Sequence, residues 1–213
     1  LPDGEQSSWG PAEQARYEEL LPLIRQAREY SQMEHCDWGL DYSEGMGLLL
    51  PHLGSMREAS MLIRFSIQAD GTAGNNTSAI DGMNSILGLS QQSSSDNTVI
   101  GALVSYSEFL MTKNLTPIVD SIDGPTHLEA FQQTIHELDA FDPFGLRASI
   151  GHERNSLIKW FDSPDFKELD PSEFGSDVDA SSWDMGAEIK NYNVAMERAV
   201  QIFEMEDETA AAL

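Results

Sequence analysis

Two segments of this sequence place side chains capable of acid–base chemistry close together. The first carries Asp41, Ser43, Glu44 and His52, and the second is His152-Glu153-Arg154. Carboxylates and histidines that share a pocket can act as general acids and bases, so one hypothesis is a hydrolase-like enzyme. The alternative for both segments is structural, with helix capping by Asp41 or Ser43 and ion pairing by Glu153 or Arg154 with another helix.

Neither segment matches a catalytic motif. No G-x-S-x-G elbow surrounds Ser43, so a Ser/His/Asp triad is not indicated. His152-Glu153 does not belong to an H-E-x-x-H zinc motif, because Ser156 stands where the second histidine is required. The sequence has no G-x-G-x-x-G, P-loop or kinase signature, and it therefore predicts no cofactor.

Metal-ligand spacing is weak throughout the chain. The histidines never lie three or four residues apart, so a transition-metal site would need ligands from separate helices; they are at positions 35, 52, 127, 136 and 152. The one calcium-like pattern has Asp177, Asp179, Ser181 and Glu188 at positions one, three, five and twelve. Ser182 replaces the glycine of such a loop, so the alternatives are weak calcium binding and a solvated acidic loop.

Cys36 is the single cysteine, so the chain has no internal disulfide. A reactive thiolate needs positively charged neighbours, and the adjacent Asp37 has the opposite effect. We therefore expect Cys36 to be a small buried residue beside Trp38 and not a reactive thiol.

The charge balance excludes several functions. The chain has 12 basic and 36 acidic residues and a net charge of −24, which disfavours binding to nucleic acid and to anionic membrane surfaces. No apolar window is long enough to span a bilayer. The acid excess suits a basic protein partner or divalent cations, and eight of the acids lie within residues 162–185.

Hydrophobic periodicity indicates helices and no alternating strand, so we predict an all-α fold. Pro22 is expected to kink or restart the first helix, and Asp142 and Pro143 are expected to start the sixth. The predicted helices cover about 11–30, 48–70, 77–90, 98–121, 126–140, 143–161 and 186–206.

The same periodicity predicts which helix faces are buried. In the second and third helices the inward residues are Leu49, Leu53, Met56, Ala59/Ser60, Ile63, Ile67, Ala79, Ile80, Met83, Ile86 and Leu87. In the fourth they are Ile100, Leu103, Val104, Ser107, Leu110 and Met111.

These elements predict an antiparallel array of six or seven helices. The helix pairs 48–70/77–90 and 98–121/126–140 resemble two helix–turn–helix units, although their separation exceeds the roughly 34 residues of a tetratricopeptide repeat. The predicted organisation is a flexible lead-in (1–10), a helical core (11–161), an acidic irregular loop (162–185), a C-terminal helix packing on the core (186–206) and a frayed tail (207–213).

The segment from Cys36 to His52 (CDWGLDYSEGMGLLLPH), the following helix with Arg57, and Gly151-His152-Glu153-Arg154 resemble a family of uncharacterised bacterial proteins. The resemblance covers roughly residues 20–160, and this chain is more acidic than the family pattern. It implies an all-helical, tetratricopeptide-like fold and an exported, extracytoplasmic protein. The expectation of export rests on the N-terminal hydrophobic leader that members of that family commonly carry.

The sequence thus favours a non-enzymatic helical scaffold that binds an unidentified protein or peptide. A hydrolase-like enzyme and a calcium-binding acidic loop remain as alternatives. The enzyme hypothesis requires Asp41, His52, Glu153 and Arg154 to meet in one pocket, whereas the scaffold hypothesis expects them in separate structural contacts.

Overall fold

A computed structural model describes residues 10–33, 36–113, 129, 132–133, 135–136, 142–164 and 185–211. These residues form helices and no strand, which confirms the all-α prediction. The α-helices are Pro11–Tyr30 (α1), Pro51–Thr72 (α2), Asn76–Ser94 (α3), Val99–Lys113 (α4), Leu146–Phe161 (α5) and Met185–Ala211 (α6), and Tyr42–Gly47 is a 3-10 helix. The predicted helix 126–140 and the acidic loop 162–185 lie mostly outside these residues.

Several helix boundaries differ from the predicted ones. The first helix continues through Pro22, and α2 begins only at Pro51, because Leu48 and Leu50 have non-helical backbone angles, with ψ of 118° and 61°. α5 begins at Leu146, with Pro143 in the preceding turn, and α6 continues to Ala211. Asp142 still serves the start of α5, because its carboxylate accepts hydrogen bonds from the backbone N–H groups of Arg147 and Ala148 at 3.1 and 3.0 Å.

The hydrophobic core lies between α2 and α3, with α1 packed across both helices. Its members include most of the α2 and α3 residues that the sequence predicts to face inward; the core cluster is Ala27, Met56, Ile63, Ile67, Ala79, Met83, Ile86 and Leu89. Leu49 is exposed, contrary to the prediction, because it precedes the first turn of α2. α3 also packs along α4, and α5 contacts α4, α6 and the 3-10 helix.

The buried face of α4 is the opposite of the predicted one. The residues of α4 that face α2 and α3 are small or polar, namely Gly101, Ala102, Ser105 and Glu108. Ile100, Leu103 and Leu110 are exposed instead. Small residues allow α4 to approach α3 closely enough for Ser90 Oγ to donate to the carbonyl of Ser105 at 2.9 Å.

Arg28 fixes α1 to the two core helices. Its guanidinium donates to Ser78 O at 3.0 Å on α3 and to Ser66 Oγ at 2.6 Å on α2. It also pairs with Asp70, whose carboxylate accepts from Ser78 Oγ at 2.6 Å. Within the part of the chain that the structure describes, no helix is long and apolar enough to cross a membrane.

We predict that Arg28→Ala lowers the free energy of unfolding by about 2 kcal/mol, since it leaves Asp70 partly buried without its cation. Arg28→Lys should lose about half of that, because a lysine cannot contact both helices with one planar group. Urea unfolding measures both effects. Arg16→Ala is the control, since its pair with Glu19 is exposed and should contribute less than about 0.5 kcal/mol. Equal losses at positions 16 and 28 would contradict the prediction.

Candidate functional site

Asp96, in the turn between α3 and α4, organises a buried cluster of hydrogen-bonded polar groups. Its side chain is 0% exposed. Oδ1 accepts from the backbone N–H of Thr98 at 2.8 Å and from its hydroxyl at 3.0 Å, and Oδ2 pairs with His52 Nε2 at 3.1 Å. Thr98 Oγ1 in turn accepts from Gly101 N at 2.9 Å, which caps the start of α4. A buried carboxylate needs such donors to offset its lost hydration.

His52 lies between this carboxylate and an indole ring. Its side chain is 7% exposed, and its ring stacks on Trp38 with centroids 4.4 Å apart and an interplanar angle of 18°. Trp38 is itself held by a hydrogen bond from Nε1 to Gln92 O at 3.1 Å. Since Nε2 faces the carboxylate of Asp96, that nitrogen is the donor, and the buried Nδ1 has no partner.

The 3-10 helix adds Tyr42 to this cluster. The Tyr42 hydroxyl donates to the backbone carbonyl of Asp96, and burial together with the negative charge of Asp96 raises the pKa of the phenol. Asp41 caps the 3-10 helix rather than α2, because its carboxylate accepts from Ser43 N at 3.0 Å and from Ser43 Oγ at 2.6 Å. These hydrogen bonds lower the pKa of Asp41. We refer to Trp38, Tyr42, His52, Asp96 and Thr98 as the Asp96 cluster.

A cleft of about 200 Å³ opens beside the cluster, between the 3-10 helix, the start of α4, and α5. We call it the α4–α5 cleft. Its apolar wall consists of Leu48, Leu50, Ile100 and Leu157, and its polar wall of Tyr42, His152, Glu153 and Ser156. The Tyr42 and His152 rings meet edge to face at 4.9 Å.

Glu153 and Arg154 of α5 both have structural partners. Glu153 Oε2 accepts from the backbone N–H of Val99 at 3.0 Å, so a carboxylate from α5 satisfies a free donor at the start of α4. Arg154 connects α5 to α6 by donating to Asn193 Oδ1 at 3.0 Å and to Glu197 Oε1 at 2.8 Å. Also on α6, burial and then the negative charge of Glu153 raise the pKa of Tyr192 to about 12.

The residues that the enzyme hypothesis needs are therefore engaged in four separate contacts. Asp41 binds Ser43, His52 binds Asp96, Glu153 binds the start of α4, and Arg154 binds α6. His152 and Glu153 do share the α4–α5 cleft, but Asp41, Ser43, His52 and Arg154 do not line it.

No group of three or more metal-ligating side chains occurs among the residues for which positions are given. Of the calcium candidates, Asp177, Asp179 and Ser181 lie outside the described residues, and Glu188 is described only by its place in α6. Calcium binding at this segment stays a prediction.

The sequence-based selection missed Asp96, the centre of the cluster. The sequence does indicate a role for this residue, since an Asp-Asn-Thr sequence directly before an apolar helix is typical of an N-terminal cap. The contact of Asp96 with His52 could not be predicted from local sequence, because it joins residues 44 positions apart.

No protein-family model, curated protein or solved structure matches this chain.

We predict that Gly101→Ala disrupts the cluster, because a Cβ at this position would collide with the carboxylate of Asp96. Such crowding in a packed site costs about 1–3 kcal/mol of unfolding free energy. The matched control is Gly54→Ala on α2, where a Cβ meets nothing within 4 Å and should stabilise the helix by about 0.5–1 kcal/mol. Urea unfolding of both variants tests this, and a change of the same sign in both would contradict it.

We predict that the Cys36 thiol reacts slowly with iodoacetamide at neutral pH. Burial first and then the negative charge of Asp37 raise its pKa, which leaves less of the reactive thiolate. Asp37→Asn should increase the alkylation rate, whereas Glu44→Gln, which removes an exposed acid from the 3-10 helix, should not. Equal alkylation rates in the two variants would contradict the role of Asp37.

Proposed function

We propose that this protein is a non-enzymatic helical scaffold that binds a basic, amphipathic segment of another protein. The binding surface consists of the exposed face of α4 and the α4–α5 cleft. One observation carries the proposal: α4 turns four of its large apolar side chains to solvent and small or polar ones to the core, while Phe109 is half-buried.

The exposed face of α4 carries a row of large apolar side chains, of which Tyr106 packs edge to face on Phe144 with ring centroids 5.3 Å apart. Ile100, Leu103, Tyr106 and Leu110 follow one another at intervals of three or four residues, which places them on one side of the helix. They are 56%, 53%, 47% and 38% exposed, respectively. Single exposed leucines are ordinary, but an aligned set on one helix is typical of a surface that binds another protein. We call these four residues the α4 stripe.

The cleft continues this stripe, since Ile100 belongs to both. Its volume of about 200 Å³ is smaller than the roughly 300–1,000 Å³ of typical small-molecule sites. A single side chain of a bound polypeptide fits such a volume better than a cofactor does. The carboxylate of Glu153 and the ring of Tyr42 in its wall favour a guest that combines an apolar stem with a positive charge, such as lysine or arginine.

The chain's net charge of −24 supports the same choice of partner. An acidic surface attracts and orients a basic segment before contact, and it repels an acidic one. The hydrolase alternative has less support, because Asp41, His52, Glu153 and Arg154 are engaged in four separate contacts. The resemblance to an exported helical family and the extracytoplasmic location stay predictions.

Selection from a displayed library of helical peptides tests the proposal. Peptides enriched on the wild-type protein should combine an apolar face with lysine and arginine, and their binding should weaken as salt increases. Leu103→Asp should reduce their affinity at least tenfold, because it places a like-signed charge inside the apolar contact. The matched control is Leu23→Asp on α1, which changes an equally exposed leucine outside the proposed surface.

Enrichment of acidic peptides, or equal losses at positions 23 and 103, would overturn the proposal. So would two results that identify another occupant of the α4 stripe. A change of oligomeric state in Leu103→Asp during sedimentation would indicate a second copy of the chain. A large loss of stability in that variant alone would indicate that the chain covers the stripe itself.

A further inference from the structure

Glu108 is a fully buried carboxyl group on α4, facing α2 and α3. Its side chain is 0% exposed, and one hydrogen bond holds it, donated by Ser93 Oγ to Oε2 at 2.9 Å. The other oxygen, Oε1, has no partner, and neither has the buried hydroxyl of Ser60 on α2. Glu108 belongs neither to the Asp96 cluster nor to the lining of the α4–α5 cleft.

A carboxylate in this place would be poorly solvated. It can accept about four hydrogen bonds and here receives one, so the charged form loses most of its hydration without replacement. The protonated form differs in one respect, because its hydroxyl can donate. A protonated Oε1 can donate to the nearby hydroxyl of Ser60, but that hydroxyl can equally donate to the carboxylate and lowers the pKa of Glu108, so burial and not Ser60 favours the proton.

The charged groups around Glu108 do not compensate for its burial. On α2, Arg57 lowers the pKa of Glu108, and the hydroxyls of Ser93 and Ser60 lower it too. Burial outweighs all three and raises the pKa to about 7. Asp81 is the one titratable residue of α3; it is exposed and lies twelve positions before Ser93. On α5, Glu153 contacts α4 at Val99, which is nine positions before Glu108.

We propose that Glu108 is a proton-binding site that couples the packing of α4 to pH. The folded protein holds a proton here under mildly acidic to neutral conditions. Loss of that proton leaves a buried charge between three helices and weakens the contact of α4 with α2 and α3. The α4 stripe lies on the opposite side of the same helix, so proton loss also weakens the support of that surface; this last consequence rests on the proposed function.

Urea unfolding over a pH series tests the proposal without any partner. Folded Glu108 binds its proton more tightly than the unfolded chain does, so stability falls as pH rises from about 4.5 to 7 and levels off above 7. Relative to Glu108→Gln, the folding equilibrium constant of the wild type should fall about 70-fold between pH 5 and 8, from the pKa values of 4.5 and about 7. Glu58→Gln, which removes an exposed acid from α2, should keep the wild-type slope.

Parallel curves for the wild type and Glu108→Gln would overturn the proposal. A second measurement does not depend on that variant: in the folded wild type labelled with ¹³C at glutamate carboxyls, one resonance should titrate near pH 7. Ser93→Ala removes a hydrogen bond that favours the carboxylate, so it should move this titration to higher pH. Titration of every glutamate in the ordinary acidic range would contradict the proposal. Failure of peptide binding alone would bear only on the proposed function.

Discussion

The buried carboxylate of Asp96 is the interaction on which the rest of the structure depends. It lies in the turn between α3 and α4, and it is stable there only because it accepts two hydrogen bonds from Thr98 and one from His52. Thr98 is also the cap of α4, and His52 belongs to the first turn of α2. One side chain therefore fixes the start of α4, the start of α2 and, through the Trp38–His52 stack, the loop before the 3-10 helix.

A second constraint follows from the small side chains at the interface of α3 with α4. Ser90, Ser93 and Ser105 are fully or almost fully buried and bond across the interface, so polar contacts of short reach replace interlocking apolar side chains. Short side chains hold the two helices close together. This close approach also explains why a long side chain, Glu108, is enclosed completely.

Apolar periodicity predicted the buried helix faces correctly where the core is hydrophobic and wrongly where it is polar. The buried faces of α2 and α3 were predicted correctly, because leucine, isoleucine and methionine at helical spacing define one side of each helix. The same rule chose the wrong face of α4, since it assumes that the larger apolar residues are always inside. Asp96 and Glu108 could not be found in this way. Their environment depends on residues that are distant in sequence and come together only in the folded chain.

The inverted amphipathicity of α4 limits what its exposed face can do alone. Complete burial of a large apolar side chain yields about 1.5–3 kcal/mol, and the four residues of the α4 stripe are already about half buried. Covering them would therefore supply roughly 3–6 kcal/mol. Two free proteins lose at least about 4 kcal/mol of translational and rotational freedom on association. The apolar stripe alone thus sustains at best a weak complex. A specific partner must gain the remainder from the adjacent cleft and from the long-range attraction of a strongly acidic chain, which is why the partner's charge matters as much as its apolar face.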